Sequence, residues 1–539
     1  MSKLTSKTVS RRGFLSGLGA VGLTGAALSV AGCSSDGGTA SAGSGEVTEG
    51  GTLNISLSAS PALLDPVKYT GVYESQIINT ICDTLVQYSM DLAEIVPCLA
   101  TEWTVSDDGI TYTFTLRDDV KFQPGEYQDG RAMTAEDVKY SLERSNVEST
   151  NNRLDMLDHC NVISDTEIEC VLKTPNSAFL TALTDGGNAI LPKEEVEGWG
   201  DNFGEHLVGT GPFQMVQFTR DQQTELKRHE GYWGDRPNLD GVVWKVITDS
   251  TQQANALFTG EVDLVTDLGG ESLQTVSENS DYIVEQQEGL NFSYMYMNMQ
   301  NGPTANPDVR KAILMCIDRD EILAAAYPYG GGSVASVPLP RGSWGYDESV
   351  EELVPAYDPE GAKELLANAG YPDGLELELF TSNTPAGLDV ATVVQQQLKD
   401  GLNIDLVIHQ NDWATLSSNA SSGQCDLVCM SWAWYPDPYF FLNKLFSTAE
   451  IGGNGNSGLF SVPEVDDLLQ QALEVTDQDE RADLYKQALR LIVEQNPMIV
   501  YSTANSKNGL SKSVQGFVQR ADNLVYVVNS EVNISKTAE

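Results

Sequence analysis

Basic residues are scarce in this chain. Its 539 residues hold 32 Lys and Arg against 77 Asp and Glu, a formal charge of −45 with histidine neutral. So acidic a surface repels polyphosphates and anionic headgroups, which excludes nucleic-acid binding and direct adsorption to anionic lipid. Composition supports solubility as the use of that charge; attraction of cationic ligands is the sharper alternative. Histidine is scarcer still. His159, His206, His229 and His409 are scattered, and no cysteine spacing resembles a zinc site. The chain lacks a Gly-x-Ser-x-Gly elbow and a metal-binding histidine pair, so nothing points to the hydrolases built on them. Long apolar runs are also wanting: beyond residue 31 no stretch reaches the ~20 apolar residues that span a bilayer.

The N-terminus carries the one conspicuous apolar run. Lys3, Lys7, Arg11 and Arg12 lead into residues 14–31, rich in Gly, Ala, Leu and Val, which close on Val30-Ala31-Gly32-Cys33. A charged region, a short apolar region and a small-residue cleavage site make a signal peptide. Ser10-Arg11-Arg12-Gly13-Phe14-Leu15 resembles the twin-arginine export signal. Val30-Ala31-Gly32-Cys33 resembles a lipobox, in which Cys33 is acylated and becomes the first mature residue. Two acyl chains hold a protein stably at a bilayer, where one does so marginally. Loss of a leader with four basic and no acidic residues takes the formal charge from −45 to −49. Residues 34–50 are mostly Ser, Gly, Thr and Ala, a composition that cannot form a core. They are expected to be a flexible tether with an r.m.s. reach of roughly 20–24 Å.

About 490 residues remain, too many for one core, so two or three lobes are expected. Seven cysteines follow Cys33, so at least one is unpaired within the chain. Cys160 and Cys170 flank Ser164-Asp165-Thr166, a hairpin turn that sets them across from each other; a disulfide and two free thiols are both open to them. Cys425 and Cys429, four apart on one strand, lie ~13 Å apart and cannot bond each other.

Thr52-Leu53-Asn54-Ile55-Ser56-Leu57 alternates polar and apolar residues, as a half-buried strand does, and so does Thr111-Tyr112-Thr113-Phe114-Thr115-Leu116. Residues 134–144 read as a helix that Thr134 caps with Asp137 three on. Leu375, Leu377 and Leu379 alternate with Glu376 and Glu378. A helix with Val390, Val393, Val394 and Leu398 on its face follows, ended by Asp400-Gly401, and Ile404, Leu406 and Ile408 alternate again. Strand, helix, strand predicts a right-handed βαβ crossover with parallel strands. Residues 426–430 read as a buried strand, and Leu484, Tyr485, Ala488, Leu489 and Ile492 as one face of a helix. Met295, Met297 and Met299 alternate. A metal or haem role is conceivable for them, and core packing is the reading preferred. Mixed elements without internal repeats give an α/β protein of several lobes.

At this point the residues resemble a known family over nearly all of the mature chain. The markers are Leu99-Ala100-Thr101-Glu102-Trp103, Asp107-Asp108-Gly109, Tyr112-Thr113-Phe114 and Thr134-Ala135-Glu136-Asp137-Val138. Gly209-Thr210-Gly211-Pro212-Phe213, Tyr232-Trp233-Gly234 and Val309-Arg310-Lys311-Ala312-Ile313 follow, with residues 432–438 completing them. They are similar to the extracellular solute-binding proteins of the dipeptide, oligopeptide and nickel class, solute-binding family 5. Most of these markers are expected to maintain the fold.

The resemblance implies a class II periplasmic-binding-protein-like α/β fold of two lobes, mixed sheets and an extra domain on the first. In this chain it implies lobe I from 51–79, 206–288 and 506–539, the extra domain from 80–205 and lobe II from 289–505. It implies a subunit that captures a peptide-like solute between the lobes, makes or breaks no bond and needs no cofactor. The partners implied are the permease and ATPase subunits of an ABC importer, with a monomer lipid-anchored on the extracytoplasmic face of the membrane. A metal chelate, another small solute, or a sensor or adhesin role is the alternative. The ligand segments implied are Thr70, Gly71 and Val72 on one side and Ser431, Trp432 and Ala433 on the other. Tyr69, Trp413, Trp434 and Tyr435 are the candidate pocket aromatics. Many peptide binders of the family place an aspartate two or three residues after the tryptophan, to meet the ligand's amino terminus. Here Trp434-Tyr435-Pro436-Asp437-Pro438 offers Asp437, either as that acid or as a turn residue.

Overall fold

Leu53, Ile55 and Leu57 are fully buried in the strand Thr52–Leu57, as the alternation requires. This strand starts the computed structural model's first sheet, in which residues 47–452 and 455–537 are described. The signal peptide and the lipobox with Cys33 lie outside the described residues. Of the expected tether, Val47 and Thr48 already pair with Thr537 and Lys536, so chain order begins earlier than residue 51.

Thr52–Leu57 pairs in parallel with Gly241–Val246 and Leu264–Val265. Gly241–Val246 continues antiparallel through Gln223–Arg228 to Phe213–Thr219. Leu53, Ile55, Val242 and Trp244 share the core of this first lobe with the helix Val72–Ile81. In the second lobe Glu376–Ser382 runs parallel to both Asp405–Asn411 and Leu427–Ala433, the crossover the sequence predicts. Its helix, Pro385–Leu402, runs slightly past Asp400-Gly401, because Asn403 takes the left-handed cap at φ 52°.

Asn291–Met297 completes the second sheet and is buried on both faces. Met295 and Met297 enter the core formed with Val394 and Leu398, whereas Phe292, Tyr294 and Tyr296 face the helix Gln478–Glu494. Met299 lies past the strand's end and packs on the latter side. The methionine alternation is thus core packing.

A separate four-stranded antiparallel sheet, ordered Ala100–Val105, Thr111–Leu116, Glu167–Leu172, Leu157–Ser164, packs on the helix Ala135–Glu148. Asp137 accepts from the Thr134 backbone N–H at 2.9 Å, closing the helix start. Cys160 stands directly opposite Cys170 in this sheet, with the sulfurs 3.6 Å apart and both thiols free. Among the described residues no helix is long and apolar enough to cross a membrane.

Candidate functional site

One long strand, Met498–Ser511, serves both lobes. Residues 498–502 pair with Asn291–Met297 and residues 505–511 with Tyr282–Glu288. The chain therefore crosses between lobes twice, side by side, near residues 288–291 and 503–505. Asn291 clamps the two crossings. Its Nδ2 donates to the Ala504 carbonyl at 2.9 Å, and its Oδ1 accepts from the Ala504 N–H at 2.8 Å. Gly289 N–H also donates to that carbonyl, at 3.2 Å. A Cβ on Gly289 would fall 2.4 Å from the Ala504 oxygen, so only glycine permits this approach.

A cavity of about 440 Å³ opens beside the crossings. Its first wall is residues 69–72. The Asp65 carbonyl accepts from the N–H groups of Lys68 and Tyr69, and the Asp65 carboxylate accepts from Arg144 Nη2 and Nη1 at 2.7 and 2.9 Å. The Tyr69 hydroxyl donates to Asp185 at 2.7 Å. Arg153 stacks on the Tyr69 ring at 4.0 Å, pairs with Asp185 at 2.9 Å and donates to the Tyr69 carbonyl at 2.8 Å. Burial, then the Asp185 charge, push the Tyr69 hydroxyl well above its ordinary pKa, so it stays a donor.

The facing wall is the end of Leu427–Ala433 and the two residues after it. This strand pairs along its length with Asn291–Met297. On its other edge Glu376–Ser382 pairs only at Leu427 and Val428, so among the described residues the edge from 429 to 433 has no strand partner. Trp432 Nε1 donates to the Phe440 carbonyl at 2.7 Å, while Trp434 stacks on the Phe440 ring. Tyr69, Thr70, Gly71, Val72, Ala433, Trp434 and Tyr435 all line the central cavity. Ser431 and Trp413 line an adjoining one of about 370 Å³, and Trp432 another of about 370 Å³ shared with Trp434 and Tyr435.

The model of the bacterial extracellular solute-binding proteins, family 5, matches residues 94–453. Heme-binding protein A of Haemophilus influenzae is 30% identical over 87% of this chain and 89% of its own. The chain belongs to family 5. The dipeptide-binding protein of Escherichia coli is 27% identical over 87% of this chain and 92% of its own. Two solved structures agree in fold. HbpA2 from Haemophilus parasuis matches with a TM-score of 0.83, 25% identity, and coverage of 90% of this chain and 100% of that one. The dipeptide binding protein of Pseudoalteromonas sp. SM9913, in complex with Met-Leu, matches with a TM-score of 0.74, 27% identity, and coverage of 90% and 100%. The two-lobe fold with its extra domain is that of the family.

Within this family 5 chain, Asp437 does not reach any of the three cavities. It is fully buried, takes Arg481 Nη2 at 2.9 and 3.1 Å, and accepts from the Thr181 hydroxyl and the Tyr439 N–H. Of its two expected roles, the geometry matches the structural one, since the guanidinium stands where a ligand amine would have to. The cavity's charged groups come from elsewhere: Arg153 paired with Asp185, Asp267 with Lys507 at 3.3 Å, and Asp522. Sequence reasoning missed all five. The signal nearest to hand was Asp185-Gly186-Gly187: a Cβ on Gly187 would lie 2.4 Å from Arg153 Cδ, so glycine makes room for the pair.

Proposed function

We propose that this chain captures a peptide-like solute between its lobes and delivers it to the permease and ATPase subunits of an ABC importer. Held by acylated Cys33 after twin-arginine export, it acts as a monomer on the extracytoplasmic face of the membrane. The lobes divide at the two crossings, with 51–79, 206–288 and 506–539 and the extra domain 80–205 on one side and 289–505 on the other. The unpaired edge at residues 429–433, whose end at Ala433 shares the central cavity with residues 69–72, carries this reading. A free edge presents backbone N–H and C=O groups at strand spacing, and an extended peptide pairs with them whatever its side chains. Relatives named for dipeptides and a neighbour holding Met-Leu agree with that ligand class. A ligand touching both walls only when they approach shifts the population toward the closed form. The guest leaves chemically unchanged.

Native mass spectrometry of the purified protein should find a co-purified peptide, and a thermal-shift series of di- to hexapeptides should raise Tm. At a ligand concentration of 100 Kd the gain is about 2.7 kcal/mol. Shifts by metal chelates or sugars, with none by peptides, would refute the ligand class. Cys33→Ser should release the protein from the membrane fraction.

A further inference from the structure

Cys160 and Cys170 project from one face of the four-stranded sheet and are fully buried, in a core shared with Tyr112, Phe114, Val138 and Leu142. They stand directly opposite each other on Leu157–Ser164 and Glu167–Leu172. Opposed residues on antiparallel strands alternate between hydrogen-bonded and non-hydrogen-bonded pairs. Two bonds decide which kind this is. The Cys160 N–H turns away from Cys170 and donates to Glu143 Oε1 on the helix Ala135–Glu148, at 3.1 Å. Leu172, two residues after Cys170 and so oriented alike, donates its N–H to the Ile110 carbonyl on its other side. Cys160 and Cys170 are therefore a non-hydrogen-bonded pair, the kind with Cα atoms about 4.5 Å apart and side chains nearest. Disulfides span Cα separations of roughly 4.4–6.8 Å. The backbone is thus already placed for a bond, and the sulfurs, 3.6 Å apart, need only small side-chain rotations to meet. Cys316 and Cys425, by contrast, donate to the Gln397 and Asn419 carbonyls.

Leu157–Ser164 is the edge strand of its sheet. Hydrogen-bonded to a strand on one side only, it opens locally at less cost than a central strand. While it is packed, the hydrogen bond with Cys160 and burial hold the Cys170 thiol well above its ordinary pKa, so no thiolate is at hand. Cytosolic thiol pools keep such a pair reduced, whereas compartments outside the cytoplasm are oxidising.

We propose that Cys160 and Cys170 are a redox modification site, reduced in the cytosol and closed to a disulfide by a protein or glutathione disulfide after export. The inference rests on the extracytoplasmic location proposed above and is independent of the ligand. When the edge strand opens, one cysteine loses its proton and attacks a sulfur of the oxidant's disulfide, expelling the other oxidant sulfur as a thiol. The second cysteine loses its proton and displaces the sulfur still attached. The cysteine pair gives up two electrons and two protons, and the oxidant leaves as two thiols. Asn151, Arg153 and Met156, which line cavities, lead straight into this strand, so the bond braces the wall they form.

Mass spectrometry of the full chain tests this. Protein from the membrane fraction, denatured in iodoacetamide without reductant, should yield Cys160 and Cys170 joined and unlabelled, with label on Cys82, Cys98, Cys316, Cys425 and Cys429. The export-blocked variant Arg11→Lys, Arg12→Lys, held in the cytosol, should take label at Cys160 and Cys170 as well. Purified chain reduced and then exposed to glutathione disulfide should lose about 2 Da, the two hydrogens, and regain them in dithiothreitol. Hydrogen exchange over residues 157–164 should be at least fivefold slower in the oxidised chain. Cys170→Ala should abolish that redox dependence, and Cys160→Ala gives a second reading should the first variant fold poorly. Label on both thiols in membrane-recovered protein overturns the site, as does a bond from either to another cysteine, or exchange that ignores oxidation. Should the wild-type chain prove cytosolic, the proposed location fails, and the glutathione arm alone decides whether the pair closes.

Discussion

Asp83 lies where two of the sequence markers meet. Thr210 Oγ1 and Trp233 Nε1 each donate to its Oδ2 at 2.9 Å. Burial nonetheless outweighs these donors and raises its pKa from 3.8 to about 6. The folded state thus holds the proton more tightly than the unfolded chain. Its contribution to stability is fully present below about pH 4 and is lost as pH rises through about 6. Asp83→Asn keeps an acceptor for both donors and has no charge to bury. It should be more stable than the parent above pH 7 by roughly 3 kcal/mol, with the gap closing toward pH 4. Urea denaturation at pH 4, 5.5 and 7.5 measures this, and a pH-independent difference would contradict the assignment to Asp83. Asp437 invites a second prediction. Arg481, 7% exposed at its side chain, lies over the rings of Trp344 and Tyr485 with Asp437 as its counter-charge. Asp437→Asn leaves a buried cation without a charge partner and should cost about 3–5 kcal/mol. Well below the variant's Tm, ligand affinity should stay within threefold. A large affinity loss in the folded variant would return Asp437 to the site.

At the scale of elements, the double crossing is the feature that positions both walls. The Asn291 side chain makes two hydrogen bonds to Ala504, and each contributes about 1 kcal/mol net. Asn291→Ala removes both, so hydrogen exchange at the Ala504 amide should quicken at least tenfold, about 1.4 kcal/mol. Exchange at Ile55, deep in the first sheet, should hold steady. Equal quickening at both places would mean global destabilisation instead of a loosened hinge. Much of this scaffold was legible in the sequence because its signals are local. Leu377 and Leu379 alternate, Val394 and Leu398 recur at helical spacing, and together they wrote out the βαβ unit. The marker glycines Gly209 and Gly211 sit where the backbone passes close to a neighbour: a Cβ on Gly211 would lie 2.7 Å from the Ile81 carbonyl carbon. Of the ligand segments implied by the family resemblance, Thr70, Gly71, Val72 and Ala433 border one cavity, whereas Ser431 and Trp432 border two others. What could not be read depends on register between distant segments. Arg153 meets Asp185 from 32 residues away, and Asp437 meets Arg481 from 44.

For the whole molecule, net charge and ligand pull in opposite directions. A formal charge of −45 spread over both lobes disfavours their approach. Screening is incomplete within about 8 Å at physiological salt, so the repulsion acts most where the cleft narrows. The crossings offer little resistance of their own, being two adjacent backbone segments. A ligand that contacts residues 69–72 and 433–435 together gains contacts in the closed form that the open form cannot supply, and that difference must exceed the repulsion for closure to occur. Small-angle scattering with saturating peptide should therefore show a fall in radius of gyration on the order of 1 Å, as hinge closure produces. Salt separates the two terms. Raising ionic strength without ligand should shift the profile slightly in the same direction, and with ligand it should tighten binding of a neutral peptide because less repulsion opposes closure. A profile unchanged by a bound peptide would remove hinge closure from the mechanism. Affinity that falls as salt rises would mean that ligand charge, not lobe repulsion, sets the balance.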